Sequence, residues 1–240
     1  PSNGEYTYEY NGYFGAVSKI VSPKKGEKKY TYNSLGQLVS QTEKSTADAT
    51  TDKSITFTYD SKGLAIGKSG TSLGKSYSSG VTYDNYGRAV SSFENSNGKI
   101  FMQKDIAYDD QSRIISYEKS VYSNGVHTKA PIANVYDVWD GSLSIVKDRL
   151  TNRVLWQLEQ EDAKGNVLKA KLGNTQVTNG YDGNGFLSFS SHVSTTNQSS
   201  ILSLLYSFDA IKNELKTRTR GGDFTISENF LYDENNRLVN

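Results

Sequence analysis

The sequence has no cysteine, which excludes a disulfide framework and any zinc or iron–sulfur site built on thiolates. Its two histidines, His127 and His192, stand apart from each other and from any acidic cluster with ligand spacing, so a zinc site has no support. No apolar run approaches the length of a membrane span, and the opening Pro1-Ser2-Asn3-Gly4 carries no signal-like segment. Neither charge prevails: 27 basic and 26 acidic residues leave +1, too small a field for bulk attraction to nucleic acid or an anionic membrane. Proline and methionine are scarce, at 3 and 1. No cofactor, nucleic acid or membrane insertion is expected.

What is abundant is tyrosine, 17 residues, and glycine, 21, in a chain that is 35% hydrophobic and 22% charged. Tyrosine and threonine suit a pleated, half-buried surface, whereas Gly, Asn, Asp and Ser punctuate it. So much aromatic content does not fit disorder.

One motif recurs along all 240 residues. Its clearest copies are Tyr59-Asp60-Ser61-Lys62-Gly63-Leu64, Tyr83-Asp84-Asn85-Tyr86-Gly87-Arg88, Tyr181-Asp182-Gly183-Asn184-Gly185-Phe186 and Tyr232-Asp233-Glu234-Asn235-Asn236-Arg237. Tyr32-Asn33, Tyr108-Asp109, Glu161-Asp162 and Phe208-Asp209 keep the frame with substitutions, while Tyr10-Asn11 and Tyr136-Asp137 carry their glycine one position late, at Gly15 and Gly141. The ten anchors lie 20 to 28 residues apart, a mean near 25. A period of this size over the whole chain predicts one repeat domain, residues 1–240, with no internal boundary. Leu238-Val239-Asn240 stops inside what reads as a strand, so the chain is expected to be an excised piece of a larger protein.

Before each anchor apolar residues alternate, as in Ile55, Phe57, Tyr59 and in Leu202, Leu204, Tyr206, Phe208, the signature of a strand with one face buried. The Asp or Asn that follows can accept a hydrogen bond from the backbone two residues on, and the glycine supplies positive φ. Apolar residues such as Leu38-Val39 and Ala89-Val90 then start the next strand. Asn97-Gly98, Asn124-Gly125 and Asn179-Gly180 read as hairpin turns at the far end of the unit. The expected fold is all-β: a repetitive antiparallel hairpin sheet winding into a curved strip or partial shell. Residues 153–160, which include Trp156, read as a strand leading into the Glu161-Asp162 turn, and the Ser/Thr/Asn-rich stretches 45–51 and 194–200 read as exposed hairpin tips.

The Tyr-Asp-x-x-Gly-Arg core at residues 83–88, with its echoes and spacing, resembles the YD repeats of the RHS (rearrangement hot spot) superfamily. A longer stretch, from Trp156 through Asp162, Gly165-Asn166-Val167 and Gly173-Asn174 to Tyr181-Asp182, is similar to a segment common in RHS proteins and in the B and C components of insecticidal toxin complexes. The resemblance implies a β-strip winding into a hollow shell that encloses a toxic or unfolded C-terminal polypeptide, or that stands on a cell surface as in wall-associated proteins and teneurins. It also implies a bacterial secreted or surface location, with the rest of the parent protein and its enclosed polypeptide as partners. Some relatives are carbohydrate-binding. These 240 residues contain no RHS-associated core with its Asp-Pro-x-Gly-Leu-like ending, hence none of the acidic residues of the self-cleaving site. The expected role is therefore non-catalytic, with a carbohydrate-binding surface module as the alternative.

Other chemical motifs carry less. Gly70-Thr71-Ser72-Leu73-Gly74 spells a nucleophile elbow, but no helical pattern follows it, which ranks a serine hydrolase on Ser72 last. Gly67-Lys68-Ser69 and Gly74-Lys75-Ser76 have their upstream glycines one residue too near for a phosphate loop and read as solvated loops. The basic run at residues 24–29 is short and contains Glu27, which fits a charged hairpin tip better than a nucleic-acid patch. Among the patterned residues, Tyr59, Asp60, Gly63, Tyr83, Asp84, Gly87, Arg88, Tyr108, Asp109, Tyr181, Asp182, Gly185, Tyr232, Asp233 and Arg237 are assigned to the repeat turns. Off-register aromatics are the candidates for sugar contact: Tyr86, Tyr117, Tyr122 and Trp139.

Overall fold

A computed structural model describes residues 4–209 and 211–239. The start of the chain at Pro1-Ser2-Asn3 and the terminal Asn240 lie outside them. The fold is all-β, and every strand pairing recorded is antiparallel. The chain divides into two compact units, Pro1–Pro131 and Ile132–Asn240.

The first unit holds β1 (Thr7–Glu9), β2 (Lys19–Ser22), β3 (Gly26–Tyr32), β4 (Leu38–Lys44), β5 (Lys53–Tyr59), β6 (Ala65–Ser72), β7 (Lys75–Tyr83), β8 (Ala89–Ser96), β9 (Lys99–Tyr108) and β10 (Ile114–Ser123). Each pairs with the next in sequence order. Strand β11 (Val126–Tyr136) runs through the boundary. The second unit continues with β12 (Leu143–Asp148), β13 (Val154–Glu161), β14 (Val167–Leu172), β15 (Thr175–Tyr181), β16 (Leu187–Ser194), β17 (Ser200–Phe208), β18 (Leu215–Gly221) and β19 (Ile226–Asn229). From β11 to β19 the pairing is again sequential. Residues 153–160 are strand, with Trp156 inside β13, as the alternation requires.

The anchor position has a mechanical meaning. The ladder register shifts between Thr31 and Tyr32, Thr58 and Tyr59, Thr82 and Tyr83, Gly180 and Tyr181, and Ser207 and Phe208. At Tyr59, for example, the partner changes from Gly67 opposite Thr58 to Ala65, leaving Ile66 as the extra residue. A bulge of this kind sharpens the local twist. In β4, β6 and β8 the bulged residue is the second apolar one after the turn, Val39, Ile66 and Val90, whereas in β16 and β18 it is Ser188 and Lys216.

The expectation of a strand with one face buried needs correction. Among the described residues the only buried hydrophobic ones are Ile132 and Ala170. Alternation survives as half-burial, because among the described residues the strands of each unit contact chiefly their ladder neighbours. Three local readings also change. The first turn is built from Gly12, whose N–H donates to Ala16 O at 2.9 Å, and not from Asn11. Asn179 and Gly180 lie inside β15, opposite Ser190 and Phe189, and the turn sits at Gly173-Asn174 between β14 and β15. The reason is packing: a Cβ on Gly180 would fall 2.1 Å from Phe189 Cε1, so the glycine makes room for a ring lying over its backbone. Gly67-Lys68-Ser69 belongs to β6 and is not a loop, again with a close approach, a Cβ at Gly67 meeting Ser79 O at 3.0 Å. By contrast Asn97-Gly98, with φ of 51° and 84°, and Asn124-Gly125, with 52° and 78°, make the mirror-image turns that suit a twisted hairpin.

Candidate functional site

The densest chemistry lies along the sheet edge where the Tyr-Asp turns stack. Asp84 shows the plan. Its Oδ1 accepts from Tyr86 N and Arg88 N, both at 2.9 Å, and its Oδ2 accepts from Arg88 Nε at 2.8 Å. Gly87, at φ 80°, turns its N–H back to Asp84 O at 3.0 Å. Asp109 with Arg113 and Asp233 with Arg237 repeat the arrangement, Ser112 and Asn236 taking the positive-φ place. Asp60 and Asp182 hold the same backbone donors, from Lys62 and Leu64 and from Asn184 and Phe186.

Partial burial raises the carboxyl pKa of Asp84 and Asp109, but the Arg88 and Arg113 backbone N–H and guanidinium groups outweigh it and hold both below the ordinary carboxylate value. The Arg237 guanidinium and then its N–H do the same for Asp233.

Successive turns are tied together by the anchors. Tyr59 Oη donates to Leu38 O at 2.8 Å, Tyr83 to Ala65 O at 3.1 Å, Tyr108 to Ala89 O at 2.6 Å and Tyr181 to Val167 O at 3.2 Å. Each acceptor opens the return strand after the preceding turn. The arginine reaches the same way: Arg88 Cζ stands 4.3 Å from the centroid of the Tyr108 ring, which belongs to the next repeat. Where that arginine is replaced by Phe186, the next anchor is Phe208, and the two rings stack at 4.9 Å. Sequence reading missed this coupling between repeats. The joint change from Arg and Tyr, 20 residues apart, to Phe and Phe, 22 apart, was the available signal.

The sugar-contact candidates are not brought together. Tyr86 is the third residue of its turn and 85% exposed, and Trp139 occupies the Asp137 turn at 93%. Tyr122 lies near the opposite end of β10, edge-on to His127 at 6.5 Å. Tyr117 sits mid-strand, beside the bulge at Asp105. Ser72 ends β6, and the Leu73-Gly74 turn leads directly into β7, so no helix follows the elbow spelling. His192 Nε2 lies 3.1 Å from Ser190 Oγ, which satisfies a buried hydroxyl. Among the described residues no group of three His, Cys, Asp or Glu side chains could hold a metal ion, and no helix is long and apolar enough to cross a membrane.

The first unit also has a groove of about 590 Å³ across β5 to β10, lined in part by Phe57, Gly80, Val81, Phe93, Met102 and Val121. Gly80 opposes Phe93, and Phe93 opposes Met102, so these share one face. The groove is of ligand size and mostly apolar.

No family description matches the sequence, and no curated protein matches it. Solved structures do. The Photorhabdus luminescens Tc holotoxin pore matches 94% of this chain at 11% identity with a TM-score of 0.56. The crystal structure of TcdB2-TccC3 without its hypervariable C-terminal region matches 94% at 11% identity with a TM-score of 0.55. The chain shares their fold. It spans 13% of the length of each matched chain, so the likeness concerns a stretch of toxin-complex protein and not a whole one.

Proposed function

We propose that the chain is a non-catalytic wall segment of a larger bacterial secreted or surface protein of the RHS type, in which its sheet encloses or presents another polypeptide. The observation that carries this reading is the single-layer ladder. It has almost no core, is stitched from turn to turn, and leaves apolar side chains such as Phe93, Phe101 and Met102 at 37–51% exposure. A sheet of this kind is suited to being continued along its length and to facing something across its width. The shared fold with toxin-complex chains supports the same role.

An antibody raised against the chain and applied to the native source tests it. The proposal expects a protein much larger than 26.6 kDa that, after limited proteolysis, retains a protected polypeptide besides the sheet. A free 26.6 kDa monomer would overturn it.

A carbohydrate-binding module is the second reading, favoured by Tyr86 and Trp139 standing exposed on turn tips. It expects saturable binding on a glycan array that Tyr86→Ala or Trp139→Ala reduces at least tenfold. Unchanged binding in both variants would remove it.

A further inference from the structure

The apolar groove of the first unit continues into a polar one. At Gly80, Val81 and Phe93 it meets a second depression of about 440 Å³, which Asp60, Thr82, Tyr83, Asp84 and Ser91 help to line at the Tyr-Asp edge. Each stretch has the size of a small-molecule site, about 300–1,000 Å³. The apolar stretch exists because Gly80 has no side chain: a Cβ there would fall 2.5 Å from Phe93 Cε1, and Met102 stands across the ladder from Phe93. Phe93 and Met102 remain 39% and 37% exposed.

At the polar end the carboxylates and hydroxyls have partners, with one exception. Thr82 Oγ1 and Ser91 Oγ lie 2.6 Å apart, Tyr83 Oη donates to Ala65 O, and Asp84 Oδ2 accepts from Arg88 Nε. Asp60 differs because Leu64 stands where the Asp84 turn has its arginine. Its Oδ1 is fixed by the N–H groups of Lys62 and Leu64, at 2.9 and 2.8 Å, while its Oδ2 accepts from no group among the described residues. A carboxylate held by its own turn, with one oxygen left over, is a preorganised acceptor for a cationic donor. Lysines also line the two stretches, Lys62 in the polar one and Lys68 and Lys119 in the apolar one. All three are exposed and without an ion pair among the described residues. Each is a hydrated charge on a flexible stem, and ordering it around an anion costs side-chain entropy that Asp60 has already lost. The fixed charge therefore selects the head group.

We propose that the joined groove binds a small amine-headed amphiphile, with its ammonium on Asp60 Oδ2 and its apolar body over Gly80, against Phe93 and Met102. Such a site belongs to the chain by itself and holds whether or not the sheet is part of a larger wall.

The test titrates the full chain by calorimetry with decylammonium, decanoate and decanol, which share one apolar body and differ in the head, each below its micelle concentration. Asp60→Asn removes the charge and keeps the turn, since Asn33 in the matching place accepts from Leu35 N and Gln37 N through its Oδ1. Asp182→Asn is the control: Asp182 holds the same turn position, has Phe186 in place of the arginine, and lines neither stretch. Circular dichroism confirms that the variants are folded. The site predicts saturable binding of decylammonium at least tenfold tighter than of either other probe. Asp60→Asn should weaken decylammonium at least tenfold and change decanol less than threefold, Met102→Gln should weaken both, and Asp182→Asn should change neither. Should Asp60→Asn fail to fold, Leu64→Arg takes its place, because it supplies the guanidinium that occupies the carboxylate in the Asp84 turn; the same tenfold loss is expected. Absent binding of decylammonium, or equal losses in Asp60→Asn and Asp182→Asn, would overturn the proposal. So would decanoate binding as tightly as decylammonium, which would assign the groove to its lysines.

Discussion

At the scale of single residues, the turn aspartate does two jobs with two oxygens. In Asp84, Oδ1 gathers backbone N–H groups that a tight turn would otherwise leave to water, and Oδ2 fixes Arg88 over the Tyr108 ring of the next repeat. Because Asp84, Asp109 and Asp233 have folded-state pKa values below their ordinary value of about 4, their stabilising contribution is complete above about pH 4. It is lost as pH falls through the lowered values. Urea titrations should therefore show the unfolding midpoint declining below about pH 4, with a shallower decline when the three are changed to Asn. Stability that rose on acidification in that range would refute the assignment. Tyr108→Phe deletes only the hydroxyl that donates to Ala89 O, and should cost about 0.5–1.5 kcal/mol by chemical denaturation. The Phe186–Phe208 stack should give a coupling of about 0.5–1.5 kcal/mol in a double-mutant cycle with alanine.

At the scale of the strand and turn, two glycine uses look alike in sequence and differ in space. Gly98 is in a turn because of its φ of 84°, whereas Gly180 is in a strand because Phe189 occupies the place of its missing Cβ. Gly180→Ala should destabilise by about 1–3 kcal/mol, since the ring must be displaced. This difference marks what the sequence could and could not reveal. The period, the Asp-Gly turns and the strand at Trp156 were legible, because turn chemistry and alternation are local. The role of Gly180, the start of the first turn at Gly12 and the bulges at anchors such as Tyr32, Tyr59 and Tyr83 were not, because they depend on which residue lies across the ladder. Alternation was also read as burial, when in a single layer it yields only half-burial. Asp105 is a further cross-strand feature, a non-glycine residue at φ 53° where Asp105 and Ile106 oppose Tyr117. Asp105→Gly should relieve that conformation and stabilise the chain by about 0.5–1 kcal/mol, measured by thermal unfolding.

At the scale of the molecule, each unit is stabilised by contacts between neighbouring repeats and not by a shared core. Hydroxyl-to-carbonyl links, the Arg88–Tyr108 contact, the Phe186–Phe208 stack and sequential ladders each join one repeat to the next. Stability then approximates a sum of nearest-neighbour terms, and damage stays local. This is the property a wall built by continuation needs, and it connects the residue chemistry to the proposed role. The most direct measurement is amide hydrogen exchange on the intact chain and on Tyr108→Phe. The account predicts protection along the paired strands of both units, and in the variant a loss confined to β8, β9 and β10 with β14 to β18 unchanged. Uniform loss across both units would instead reveal a single cooperative core and contradict it.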